Sequence, residues 1–182
     1  MSILKGSIGF LLFLLATCVL LGVGSCKKNN DSEALFTYNL DFELSAGISP
    51  LVTSYIETPW LNTDSETFLS INNLTADTVQ SLLPRAFRLE MLEPSDVVDL
   101  SIIDRVYLQM KVNETTFSDI AFLDQNTFEQ TNFIDLIPGI LDCKPYIIGK
   151  DLFKMRLKVY VRETTPQFIP LRLNASFIAE TK

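Results

Sequence analysis

Glu90 and Glu93 are the first residues to weigh for chemistry, because two carboxylates can cleave a glycosidic bond without help from any other type of side chain. Their spacing of three sends them to opposite faces of a strand unless a bulge intervenes, so they read as solvated strand-edge charges. The chain contains no histidine. That removes the usual proton shuttle at neutral pH, the Ser/His and Cys/His nucleophile pairs and the commonest zinc ligand. There is no glycine-rich phosphate loop, dinucleotide fingerprint or Cys-x-x-Cys pair. The expectation is a protein that is not an enzyme and has no catalytic, cofactor or metal residues.

Hard cations want six to eight oxygens. Asp96, Asp99 and Asp104, and separately Asn62, Asp64 and Glu66, lie close together in the chain, but neither set has the glycine-punctuated spacing of a calcium loop. Trp60, with Tyr55 and Pro59 nearby, offers an aromatic platform for a sugar or a protein partner, against the plainer reading that it pins a loop to the body of the fold. Lys154, Arg156, Lys158 and Arg162 form a basic stripe that suits either an acidic ligand or a solvated strand face paired with neighbouring acids. Cys143 reads as a small buried apolar residue rather than a reactive thiol.

These residues must be held by strands. Leu35 to Leu44 alternates strictly, as do Arg85 to Leu92, Ile103 to Val112, Leu152 to Arg162 and Ile169 to Phe177. Ile120–Leu123 and Phe133–Ile137 read as shorter strands, and Phe68–Ile71 as a brief one. Short helices are expected after the Ser49-Pro50 cap, from Thr75 through Leu83 to Pro84, and as a turn within Asp142–Ile148. The last two long strands, joined by Glu163-Thr164-Thr165-Pro166, suggest a hairpin, with Pro170 at an edge or bulge. The expected fold is all-β, an antiparallel β-sandwich of Ig-like or jelly-roll type with short helical insertions and a barrel as the alternative, spanning residues 35–182.

The chain has 182 residues and a net charge of −7, and since Lys5 is the only charge before Cys26, the remainder is more acidic still. That argues against nucleic acid and against electrostatic adhesion to an anionic bilayer. An apolar run from Ile8 to Val23 ends in Val23-Gly24-Ser25-Cys26. This segment resembles the lipobox of bacterial lipoproteins, with an aliphatic residue three before the cysteine and two small ones between. The resemblance implies that residues 1–25 are a signal peptide cut after Ser25, with diacylglyceryl attachment to the Cys26 sulfur and acylation of the new amine. An uncleaved membrane anchor and a plain secretory signal are the alternatives. Residues 26–34 read as the lipidated cysteine and a polar tether, and Cys-Lys-Lys followed by Asn and Asp is similar to lipoproteins of the Bacteroidota. The sequence therefore points to a lipid-anchored envelope protein, at the outer membrane, acting as a non-catalytic binding or assembly module for a protein or glycan. A carbohydrate-active hydrolase and a carrier of lipids or small ligands are the competing readings.

Overall fold

A computed structural model describes residues 34–94, 98–129 and 131–181. Ser25 and Cys26, with the leader and nearly all of the tether, lie outside these residues. The first strand, β1 (Ala34–Leu44), begins one residue before the expected boundary, because Ala34 is buried and paired with Ala179. There follow β2 (Ser54–Glu57), β3 (Leu61–Asn62), helix α1 (Ser65–Ile71), β4 (Val79–Met91), a 3-10 turn (Leu100–Ile102), β5 (Ile103–Lys111), β6 (Phe117–Leu123) and β7 (Phe133–Pro138). The chain ends with α2 (Lys144–Ile147), β8 (Leu152–Phe153), β9 (Met155–Val161) and β10 (Ile169–Thr181).

The fold is all-β. Eight strands form one antiparallel sheet in the order β1-β10-β4-β7-β6-β5-β9-β2, and β3 pairs separately with β8. The sheet curls enough for its outermost strands, β1 and β2, to touch. The strict alternation in β1, β9 and β10 causes this, since every second side chain is apolar and faces one shared core. Phe177 lies at its centre, fully buried, edge-on to Phe87 at 5.4 Å and to Tyr38 at 6.2 Å. Burying a side chain of this size stabilises by about 1.5–3 kcal/mol.

Strand β7 joins the two halves of the sheet. Phe133 to Leu136 pair with β4, and Ile137 and Pro138 pair with β6. Gly139 closes this corner by donating its N–H to the Ile120 carbonyl at 2.7 Å. A Cβ there would meet that oxygen at 3.1 Å, tighter than usual contact, so the close approach favours glycine.

The structure corrects several sequence expectations. Leu51 and Val52 are exposed, so no helix has an apolar face to bury after Ser49-Pro50. The chain makes one turn, with the Val52 N–H bonded to the Ser49 carbonyl, and continues as β2. Phe68–Ile71 belongs to α1 rather than a strand: the Leu74 N–H bonds Leu69 O and the Asn73 N–H bonds Ser70 O, a helix stop with Asn73 left-handed at φ 53°.

The helix expected from Thr75 is instead the start of β4. Bulges at Gln80 and Arg85 separate inward residues by three at Val79/Leu82 and Pro84/Phe87, which imitates helical spacing. Pro84 is tolerated because β7 pairs with β4 only from Phe87 to Glu90. Leu152–Arg162 breaks at Lys154 into β8 and β9, each with a different partner.

The expected terminal hairpin does not form either. β9 lies between β5 and β2, while β10 lies between β1 and β4. The link between them crosses from one half of the sheet to the other. Thr165, buried within it, donates its hydroxyl to Ser45 O and its N–H to Ile48 O, and accepts the Ile48 and Gly47 N–H groups. Pro170 is in an interior strand, but its carbonyl accepts from the Leu92 N–H just past the last β4 pair, Leu171↔Met91. Its missing donor therefore falls where that ladder has ended.

Candidate functional site

Trp60 stands on a short loop that two buried threonines clamp to the sheet. At one end, the Thr58 hydroxyl donates to Met155 O and accepts from the Met155 N–H, both at 3.1 Å. At the other, the Thr63 hydroxyl donates to Lys150 O, its N–H donates to Asp151 O, and its carbonyl accepts the Tyr38 hydroxyl at 2.5 Å. Burial pushes the Tyr38 hydroxyl far above its ordinary pKa, helped by Asp64, so it remains a donor. Between the clamps, Leu61 and Asn62 pair with Phe153 and Leu152. The loop is thus fixed, yet Trp60 itself is 55% exposed.

The exposed ring forms one wall of an open cleft of about 350 Å³, within the usual range for small-ligand sites. Phe153 is its buried floor, Tyr146 and Pro145 of α2 stand opposite, and Lys111 and Lys150 line its rim. The Lys111 ammonium sits 5.1 Å from the centre of the Trp60 ring, a cation–π contact. Gly149, left-handed at φ +72°, ends α2 and turns the chain back toward Lys150 and β8. An apolar floor, two aromatic side chains and a rim that carries two ammonium groups as well as Asn113 and Glu114 can seat a ring-shaped ligand with polar substituents.

Tyr55 does not join this platform. It lies on β2, exposed, with the Arg156 guanidinium 4.7 Å from its ring. Most of the basic stripe is paired with neighbouring acids: Lys154 and Arg156 with Glu57, and Arg162 with Asp104. Lys154 holds the Glu57 carboxyl below its ordinary pKa through a direct bond, with Arg156 and Lys111 adding to the effect. Lys158 instead lies 5.1 Å from the Tyr107 ring and 5.4 Å from the Tyr160 ring.

The carboxylates considered for catalysis do other work. Glu90 accepts from the Asn174 side chain at 2.9 Å, and Glu93 lies exposed beyond the end of β4. Asp99 caps the 3-10 turn by accepting the Ser101 N–H, Asp104 meets Arg105 and Arg162, and the Asn62 side chain accepts the Asp64 N–H. Asp96 is outside the described residues. Cys143 is buried as expected, and burial, aided by the Asp142 charge, pushes its thiol up to about 12.

A larger groove of about 680 Å³ crosses the outer face of β1, β10, β4 and β7. Arg88 and Asp135 in it form a two-point ion pair at 2.7 and 2.9 Å, Arg85 lines it without an ion pair among the described residues, and it has no exposed aromatic side chain in its wall. The Trp60 cleft is the better candidate despite its smaller volume. Of its residues, the sequence singles out Trp60 and misses Lys111, Tyr146, Thr58 and Thr63. Lys111 and Tyr146 are 51 and 86 positions from Trp60 and the other two are plain threonines, so no local pattern joins them. Compared with known proteins, the chain matches no protein-family model and no curated protein.

Proposed function

We propose that this is a lipid-anchored protein of the cell envelope, cut after Ser25 and held at the outer membrane through Cys26, whose all-β body is a non-catalytic binding module. The curled sheet is read as a sandwich whose two layers share β7. The observation that carries the binding assignment is the rigidly mounted but exposed Trp60 beside an apolar cleft. Side chains that serve only packing are normally covered, whereas a large ring held open by buried clamps is the arrangement of a contact residue. Its partner is a glycan, since the cleft pairs ring faces with polar rim groups. The test is a glycan array with the full chain and with Trp60→Ala. Loss of about tenfold or more in affinity, with the circular dichroism spectrum unchanged, supports the reading; glycan binding indifferent to Trp60 refutes the site. In cells, Cys26→Ser is expected to abolish acylation and release the protein from membranes, and retention of both would refute the anchor.

A further inference from the structure

We infer that the Trp60 cleft continues along the outer face of β5 and β9 as a track for an acidic polysaccharide. This rests on the reading of the cleft as a glycan site and names the class of glycan.

The register places the outward residues of four strands in rows. One row is Tyr55, Lys158, Tyr107 and Phe122; the next is Glu57, Arg156, Gln109 and Asp119. Most polar groups in these rows satisfy one another. Arg156 donates to Gln109, which donates to Asp119, both at 2.6 Å, and the Tyr107 hydroxyl donates to Asp124 at 2.6 Å. Glu57 and Asp104 are taken by Lys154, Arg105 and Arg162.

Among the described residues, two ammonium groups on this face form no ion pair, and each rests against aromatic rings: Lys111 on Trp60, and Lys158 between Tyr107 and Tyr160. Hydrogen bonding with Tyr160 holds Lys158 above its ordinary pKa, so it stays charged. Tyr107 and Lys111 are four positions apart on β5, about 13 Å at the rise of a strand. A ring face beside a cation that lacks an ion pair thus occurs twice on this side of the sheet, β5 supplying the ring Tyr107 to one pair and the cation Lys111 to the other.

A repeated pair of this kind fits a polymer that repeats both partners: sugar rings, whose C–H faces pack on aromatic faces, bearing carboxylates that meet the cations. An acidic peptide has the charge without the rings. A nucleic acid carries its charge on backbone phosphodiesters and not on the rings that would pack against the aromatic faces.

The experiment uses the full chain, expressed with its leader and purified in detergent, and measures binding by calorimetry. The probes are polygalacturonate, alginate and hyaluronan, with methyl-esterified polygalacturonate, polyglutamate and oligothymidylate as comparators. Binding of at least one uronate polymer is expected, with methyl esterification weakening polygalacturonate binding and salt above about 0.15 M weakening binding generally. Lys158→Gln and Lys111→Gln should each weaken it about two- to fivefold, as exposed charge contacts do, and Lys158→Arg should restore it. Equal affinity for the methyl ester, or insensitivity to both lysine substitutions, overturns the acidic-glycan inference while leaving Trp60-dependent glycan binding intact. Equal affinity for polyglutamate or oligothymidylate overturns the requirement for sugar. Failure to bind any uronate polymer overturns the inference, and loss of all glycan binding on the array overturns the underlying reading with it.

Discussion

The two outer faces of the sheet use charge in different proportions of ion pair and ring contact. Across β1, β10 and β4, Asp41 faces Arg172 and Arg172 faces Glu90, while Arg88 faces Asp135 across β4 and β7. The Asp41–Arg172 pair bonds at 2.8 and 3.1 Å, so arginine forks are consumed by the carboxylates opposite them. On β9 and β5 ring contacts are more numerous: Arg105 is 4.2 Å from the Tyr160 ring and Arg156 4.0 Å from the Phe117 ring while each also pairs with an acid, as Arg88 does over Phe133, and Lys158 lies 5.1 Å from the Tyr107 ring with no ion pair among the described residues. The first face sets arginines opposite carboxylates at three positions, whereas the second rests the Lys111 and Lys158 ammonium groups on aromatic rings, and it is the second that is proposed above to meet a ligand.

The contrast depends on both faces sharing one core, and the largest expected effect tests that. Phe177→Ala should destabilise the protein by about 3–5 kcal/mol and leave urea unfolding a single transition. Two separate transitions, read by Trp60 fluorescence and far-ultraviolet circular dichroism, would show that the halves are independent. Next is the link across the halves. Thr165→Val removes the hydroxyl that serves Ser45 and Ile48 and should cost about 1–3 kcal/mol by the same measurement. A smaller effect, about 1 kcal/mol, is expected from Asn73→Ala, which puts a residue with no local side-chain bonding into the left-handed helix stop.

The smallest effect sharpens the electrostatic difference. Direct bonds from Arg172 and Arg88 hold the Asp41 and Asp135 carboxyls below their ordinary range. A carboxylate whose pKa is lower in the folded state stabilises at pH values above its unfolded value, near 4, and loses that contribution as the pH falls through the lower folded value. Thermal melts in this acid window should therefore show a modest fall in melting temperature that Arg88→Ala and Arg172→Ala reduce and Lys158→Gln does not, since Lys158 holds no carboxylate. A Lys158 variant that flattened the acid profile equally would erase the distinction between the faces.

Much of this architecture was legible where the chain alternates without interruption: β1, β5 and β10 appear in the sequence within a residue or a few of their ends. Pairing was not legible. Leu152 to Phe177 has the alternation of a hairpin, but Thr165 ties its turn to the Ser45–Ile48 loop, more than a hundred residues away, and this long-range bonding selects the crossing. Arg85 to Met91 of β4 is legible by its alternation, but the first half of that strand reads as helical because its bulges place apolar residues three apart, and α1 is hidden because its stop signal, Asn73, follows a run too short to show helical periodicity. At the candidate site Trp60 could be seen because tryptophan is conspicuous and flanked by loop residues. Lys111 and Tyr146 could not, since only the fold brings the ends of β5 and α2 to it.

Cys143 has a consequence of its own. With its thiol pushed up to about 12 by burial and the Asp142 charge, very little of it is thiolate at neutral pH, and oxidants and disulfide exchange act on that form. Cys143, the one cysteine among the described residues, is thus shielded from thiolate chemistry by its burial, and slow reaction with thiol reagents in the folded protein is the expected result.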